Sequence, residues 1–151
     1  MRRSMARGLA ALAIAFGTVP AGSGTANAAI SDGAAVSACG SSYYVQRKAT
    51  IGWGQDVTVF LLYSASTKLN CVVTMKHPDM GWVYGAATAL SAGIQAEGGS
   101  WKTDPGDYKY YAGPVYLSAP GKCVRFSAYY EEYGAGYSHD INCTSPWGSC
   151  G

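Results

Sequence analysis

Five cysteines, Cys39, Cys71, Cys123, Cys143 and Cys150, set the strongest limit on how this chain folds. All of them follow an N-terminal stretch with the features of an export signal. Arg2, Arg3 and Arg7 make its start positive, and Gly8 to Val19 is apolar and uncharged. Ala26-Asn27-Ala28 then places small residues where a signal peptidase reads, so residues 1–28 are expected to be a signal peptide. Ser4-Met5-Ala6 continues Arg2-Arg3 poorly as a twin-arginine signal, which favours the general secretory route. A membrane anchor needs roughly 20 apolar residues, and Pro20 ends this run short of that. The protein is therefore expected to be secreted, with no membrane contact after cleavage. An exported chain meets oxidising conditions, and its cysteines are read first as disulfides.

Five is an odd number, so at most two internal bridges form and one thiol remains. Metal ligation is disfavoured, because no C-x-x-C pair occurs and neither His77 nor His139 stands near a thiol in ligand rhythm. No metal or other cofactor is expected. Four cysteines allow three pairings, and spacing alone does not choose among them. Sequence context favours Cys39–Cys71 and Cys123–Cys150, each tying a chain end to a neighbouring strand-like run. Each would close a loop of about 30 residues, worth roughly 3–4 kcal/mol on chain-entropy grounds. Cys143 is then the unpaired cysteine.

Cleavage after Ala28 leaves about 120 residues, enough for one core and too few for two. Three of the 11 basic residues leave with the signal, so eight face nine acidic ones, a formal charge of −1. Such a charge-poor chain offers no electrostatic footprint for nucleic acid or an anionic membrane.

Residues 29–38 are small and polar and read as a flexible leader, with a single β domain over 39–151. Val57 to Tyr63 and Cys71 to Lys76 are rich in β-branched and large apolar residues, and the polar Ser64 to Asn70 between them suits a hairpin connection. Tyr43 to Lys48, Val115 to Leu117 and Cys123 to Tyr130 read as further strands. Trp82 to Ala96 sets Thr88, Leu90, Ala92 and Ile94 at period two; Gly85 and Gly93 weaken the helical alternative for its Ala-rich part. Asp104-Pro105-Gly106-Asp107 carries a turn signature between Trp101-Lys102-Thr103 and the strand-like Tyr108 to Tyr111. Gly113-Pro114 interrupts again, and Gly134 to Gly151 reads as a loop-like tail held by cysteine. The expected fold is all-β: a small, disulfide-stapled β-sandwich or barrel of about seven or eight short strands.

Four stretches together resemble a known family: CGSSYYV (Cys39 to Val45), VFLLYSASTKLNCVVTMK (Val59 to Lys76), YKYYAGPVYLSAPGKCVRF (Tyr108 to Phe126) and the closing TSPWGSCG (Thr144 to Gly151). They are similar to the spore-associated protein A family of actinomycetes. That resemblance implies an exported protein found with aerial hyphae and spores and retained on the spore surface, without an assigned catalytic activity. It also implies a framework on Cys39, Cys71, Cys123 and Cys150. Cys143 and the Tyr-rich, acidic Tyr129 to Asp140 depart from the family pattern.

Catalytic motifs are weak. No G-x-S-x-G elbow occurs. Ser138-His139-Asp140 are consecutive, and neighbours in an extended chain point to opposite faces, so they do not make a triad. Glu131-Glu132 is a carboxylate pair of the type glycoside hydrolysis uses, yet adjacent residues at a strand tip are ordinarily solvated. Asn142-Cys143-Thr144 is formally an N-glycosylation sequon.

Aromatic residues give the better lead. Tyr and Trp number 12 and four against three Phe, so most rings carry a polar tip suited to wet surfaces. Trp53, Trp82, Trp101, Tyr129, Tyr130, Tyr133 and Tyr137 form a candidate aromatic binding surface for wall glycan or a spore-envelope protein. Tyr43, Tyr63, Tyr110 and Tyr116 lie in strand-like runs and are assigned to packing. The leading expectation is a secreted, non-catalytic spore- or cell-surface-associated protein. A carbohydrate- or cell-wall-binding module is the second reading. A small secreted hydrolase, or a protease inhibitor using the loop Lys76 to Gly81, is the third.

Overall fold

In the computed structural model, the apolar runs expected to pair do so: β2 (Val57–Ser64) and β3 (Leu69–Lys76) form an antiparallel hairpin with Phe60 opposite Val73 and Leu62 opposite Cys71. The structure describes residues 30–134 and 136–151; the expected signal peptide, residues 1–28, lies outside them. β1 (Tyr44–Ile51) and β6 (Tyr111–Ser118) flank the hairpin, giving one sheet in the order β1-β2-β3-β6. β4 (Thr88–Ala96), β5 (Lys102–Tyr108), β7 (Val124–Gly134) and β8 (Tyr137–Thr144) build the second, in the order β5-β4-β7-β8. All pairings are antiparallel, and the two open sheets stack as a sandwich rather than closing into a barrel.

β2 and β3 are buried on both faces, and this explains why their sequences are continuous apolar runs instead of alternating ones. Val57, Val59, Leu61 and Val72 point inward against Leu90, Ala92, Ile94, Phe126 and Ala128 of the second sheet. Phe60, Leu62, Val73 and Met75 point the other way and need a second cover. Each such side chain gains on the order of 2 kcal/mol from burial.

The cover is α1 (Asp32–Cys39), and it corrects the reading of residues 29–38 as a flexible leader. The small residues of this segment let a helix lie close on the sheet, with Ala35 fully buried. Ser31 caps it by accepting from the Ala34 N–H at 3.1 Å. Gly40, at φ +121°, ends it and donates to the Val36 carbonyl at 2.7 Å. Eight residues are too few for a stable isolated helix. Tertiary contacts hold it instead: the Cys39–Cys71 disulfide staples it to β3, and the Tyr116 hydroxyl donates to the Cys39 carbonyl at 2.8 Å.

Three further expectations are corrected. Asp104-Pro105-Gly106-Asp107 is not a turn but the middle of β5, which runs at a sheet edge, where proline's missing N–H costs no ladder bond. Gly113-Pro114 likewise lies within edge strand β6. The tail read as a loop contains β8, paired with β7 from Gly134 opposite Tyr137 to Ser127 opposite Thr144. Beyond β8 the chain is held by the Cys123–Cys150 disulfide and by reciprocal Val124–Gly148 backbone bonds. The Arg47 guanidinium donates twice to the Pro146 carbonyl, at 3.1 Å each.

Lys76 ends β3 with its side chain turned into the core, leaving 1% of it exposed. Among the described residues no carboxylate pairs with its ammonium. Nζ donates to the Thr88 hydroxyl and to the carbonyls of Val83, Ala86 and Tyr108, so it ties the β3–β4 connection and the end of β5 to β3. Desolvation lowers its pKa from 10.5 to about 8, opposed by the nearby Asp107 charge.

Two tests follow from this arrangement. Replacing Cys39 and Cys71 together by alanine should cost about 3 kcal/mol, seen as a lower midpoint in urea unfolding. For Lys76, the folded chain releases its proton near pH 8 while the unfolded chain keeps it up to about 10.5. Raising the pH through that window therefore favours the fold. Urea midpoints at pH 7.5 and 9.5 should show a gain on the order of 1 kcal/mol over the same comparison for Lys76→Met.

Candidate functional site

The antiparallel register brings four connections to one end of the sandwich: β1–β2, β3–β4, β5–β6 and β7–β8. Backbone bonds knit three of them, with His77 N–H donating to the Asp56 carbonyl at 2.8 Å and Gly85 N–H to the Lys109 carbonyl at 3.0 Å. Exposed aromatic rings concentrate here. Trp53 is 89% exposed and Trp82 68%, and Tyr110, Tyr111 and Tyr137 are also exposed.

Trp53 sits on Gly52-Trp53-Gly54-Gln55-Asp56, a turn whose shape is set by packing around one carboxylate. Gly52 has φ +97°, and a Cβ there would collide with the Asp56 carboxylate. Gln55 N–H donates to the Gly52 carbonyl at 3.2 Å, with Gln55 itself at φ 61°. Asp56 then accepts from the Tyr130 hydroxyl at 3.1 Å, which roots the turn in the core. Burial, followed by the Asp56 charge, pushes the Tyr130 phenol far above its ordinary pKa. The hydroxyl therefore donates to this carboxylate throughout the physiological range.

Across from Trp53 lies a cleft of about 400 Å³, walled by Glu132, Tyr137, His139, Asp140 and Ile141. The Tyr137 and His139 rings meet at a tilt of 49° with centroids 5.0 Å apart. Glu132 Oε2 is buried there without a hydrogen-bond partner among the described residues. Trp82, on the short 3-10 turn Gly81–Val83, packs against Tyr133 at 5.5 Å, and the Tyr133 hydroxyl donates to Glu131 at 2.6 Å. Tyr84 and Tyr110 meet edge to face at 5.1 Å.

The seven residues of the candidate aromatic surface thus occupy three places. Trp53, Trp82, Tyr133 and Tyr137 share the loop end. Trp101 and Tyr129 lie on the outer face of the second sheet, where the Tyr129 hydroxyl donates to Asp140 at 2.8 Å. That bond is the first cause of a Tyr129 pKa raised to about 12. Tyr130 is corrected: only 2% exposed, it belongs to the core and supports the Trp53 turn from beneath. Residues that sequence reasoning passed over include Asp56, Arg125 and Trp147. The Arg125 guanidinium lies 5.1 Å from the Trp101 ring centroid and 4.4 Å from that of Trp147, and nothing local in the sequence signals that long-range stack.

Other candidate groups are separated or already engaged. Glu131 stands opposite Asp140, while Glu132 stands opposite His139, so the carboxylate pair is divided between two faces of the strand. Lys76, first residue of the proposed inhibitor loop, has its ammonium inside the protein. Cys143 is a half-buried free thiol packed beside the core, and desolvation raises its pKa. The bridged cysteines are Cys39 with Cys71 and Cys123 with Cys150.

Over 89 residues the chain is 40% identical to spore-associated protein A of Streptomyces coelicolor, a match that takes in 58% of this chain. Over that stretch the chain is similar to spore-associated protein A. It spans about half the length of that curated relative, 53% of it. No protein-family model matches the chain, and no solved structure does.

If Trp53 is display and Asp56–Tyr130 is its foundation, the two classes of substitution separate. Trp53→Ala should leave the urea midpoint within about 0.5 kcal/mol of wild type. Asp56→Ala, which strands the buried Tyr130 hydroxyl, should cost about 1–3 kcal/mol in the same measurement.

Proposed function

We propose that the protein is secreted, non-catalytic, and associated with the spore or cell surface through its aromatic loop end. The observation that carries this reading is Trp53, held 89% exposed by a turn anchored in the core. A large apolar ring kept in water on a fixed backbone suits contact with a partner, because little freedom remains to be lost on binding. The relative's name, spore-associated protein A, supplies the setting. Two disulfides in a small domain agree with export to an oxidising compartment.

Support for the non-catalytic part comes from how the polar groups are used. Glu131 is bonded to Tyr133, Asp140 to Tyr129, and Asp56 to Tyr130, each holding a ring in place. The partners in view are wall glycan or spore-envelope protein, and no nucleic acid or membrane enters this reading.

Spores of a producing culture, washed in salt and then detergent and immunoblotted, should retain the protein. The double variant Trp53→Ala/Trp82→Ala should shift it into the medium by roughly tenfold, the equivalent of about 1.4 kcal/mol of lost contact. Wild-type protein found wholly in the medium would sink the reading.

A further inference from the structure

We propose that the outer face of the β5-β4-β7-β8 sheet is a binding groove for a neutral polysaccharide chain. The helix α1 covers the other sheet, so this face lies open on the side away from it. A groove of about 390 Å³ crosses it, lined by Thr103 of β5, Ser91 of β4, Ser127 and Tyr129 of β7, and Asn142 and Thr144 of β8, with Trp101 at its rim. Four strands span roughly 14 Å, the length of about three pyranose rings.

The lining decides the class of ligand. None of its side chains is charged. The charged groups that border it are already engaged, Arg125 with Gln95 and two indole rings and Asp140 with the Tyr129 hydroxyl, which leaves an uncharged lining that disfavours a nucleic acid, an anionic wall polymer or a charged peptide. The short hydroxyls and the Asn142 amide both donate and accept, which matches the hydroxyls of a sugar. The Trp101 and Tyr129 rings offer apolar faces for the C–H side of a pyranose. This even mixture of uncharged polar groups and rings complements a neutral polyol better than any charged polymer.

The groove is also built in advance of a ligand. Arg125, stacked between the Trp101 and Trp147 rings, is fixed by an Nε–H bond to Gln95 at 2.8 Å and so props Trp101 at the rim. Tyr129 is fixed by its bond to Asp140. Gly93, in mid-strand β4 opposite Ser127, keeps the floor low: a Cβ there would collide with the Ser127 hydroxyl and lie 3.2 Å from Thr103 Cγ2. Glycine weakens a strand interior and marks places where a ligand approaches the backbone closely.

The inference deepens the surface-association reading by naming the chemistry of one partner, and rests on that reading only for where the polymer is met. It is tested by retention of the secreted chain on insoluble cellulose, chitin and a neutral β-glucan, with an anionic teichoic-acid-bearing wall as control. Retention on at least one neutral polymer is expected, falling at least tenfold in Trp101→Ala and in Ser127→Tyr, which fills the groove. Asn142→Ala, at an exposed position on an edge strand, should weaken retention several-fold while its urea midpoint matches wild type. Lys68→Asn, exposed on the β2–β3 turn at the opposite end of the sandwich, should bind as wild type. Retention on no neutral polymer, retention on the anionic wall alone, or retention left unchanged in Trp101→Ala and Ser127→Tyr would each overturn the proposal. Polymer binding by a protein that spores fail to retain would leave the groove standing and remove the surface reading alone.

Discussion

The hairpin β2–β3 carries apolar side chains on both faces, and no single layer covers both. Val59 and Leu61 require the second sheet, while Phe60 and Leu62 require something on the opposite side. The rest of the fold follows from meeting these two demands. The second sheet satisfies the first. A helix of only eight residues satisfies the second, and survives because the Cys39–Cys71 bridge fixes it against β3. The same two-sided burial makes Lys76 inevitable as an internal group. It stands opposite Val57, at the inward-facing end of β3, and its ammonium finds four oxygen partners where the loops converge.

Much of this was legible from the residues. VTVFLLY and CVVTMK announce a hairpin, and the cysteine contexts match the two bridges. What the sequence left hidden follows from burial and edges. The run of apolar residues in β2 implied two covers, yet the segment that supplies one has no helical period to reveal it. Ala34, Ala35 and Ala38 are chosen for small size against a sheet, and that choice shows only when the sheet is present. Asp104-Pro105-Gly106-Asp107 carries every local sign of a turn, but an edge strand tolerates those signs, and edge position is a property of the whole sheet. Likewise β8 is mostly exposed and polar, so no hydrophobic alternation marks it.

The candidate site was legible as a composition and not as a place. Tyr129 and Tyr130 are neighbours in sequence, and strand alternation sends one to the outer face and the other into the core. Which is which depends on register, fixed by pairings such as Leu90 with Tyr130. Trp101, Arg125 and Trp147 are far apart in the chain and meet because β5, β7 and the disulfide-held tail converge at one corner. Tertiary geometry alone sorted one list of aromatics into a loop end, a sheet face and a core anchor.

The departures from local economy have a pattern. Gln55 takes a left-handed backbone, Trp53 exposes an indole, Gly93 sits in the middle of a strand, and Glu132 Oε2 is buried without a partner among the described residues. Each is a small cost in a domain whose net stability is only several kcal/mol. A fold selected for stability alone would cover Trp53 and give Glu132 a donor. One buried orphan, Thr74 Oγ1 in the sandwich interior, has no physical account. The others border either the Trp53 cleft or the groove of the second sheet. Strain held in place beside rigid, exposed rings is what a preorganised binding surface requires, since the ordering is complete before the partner arrives.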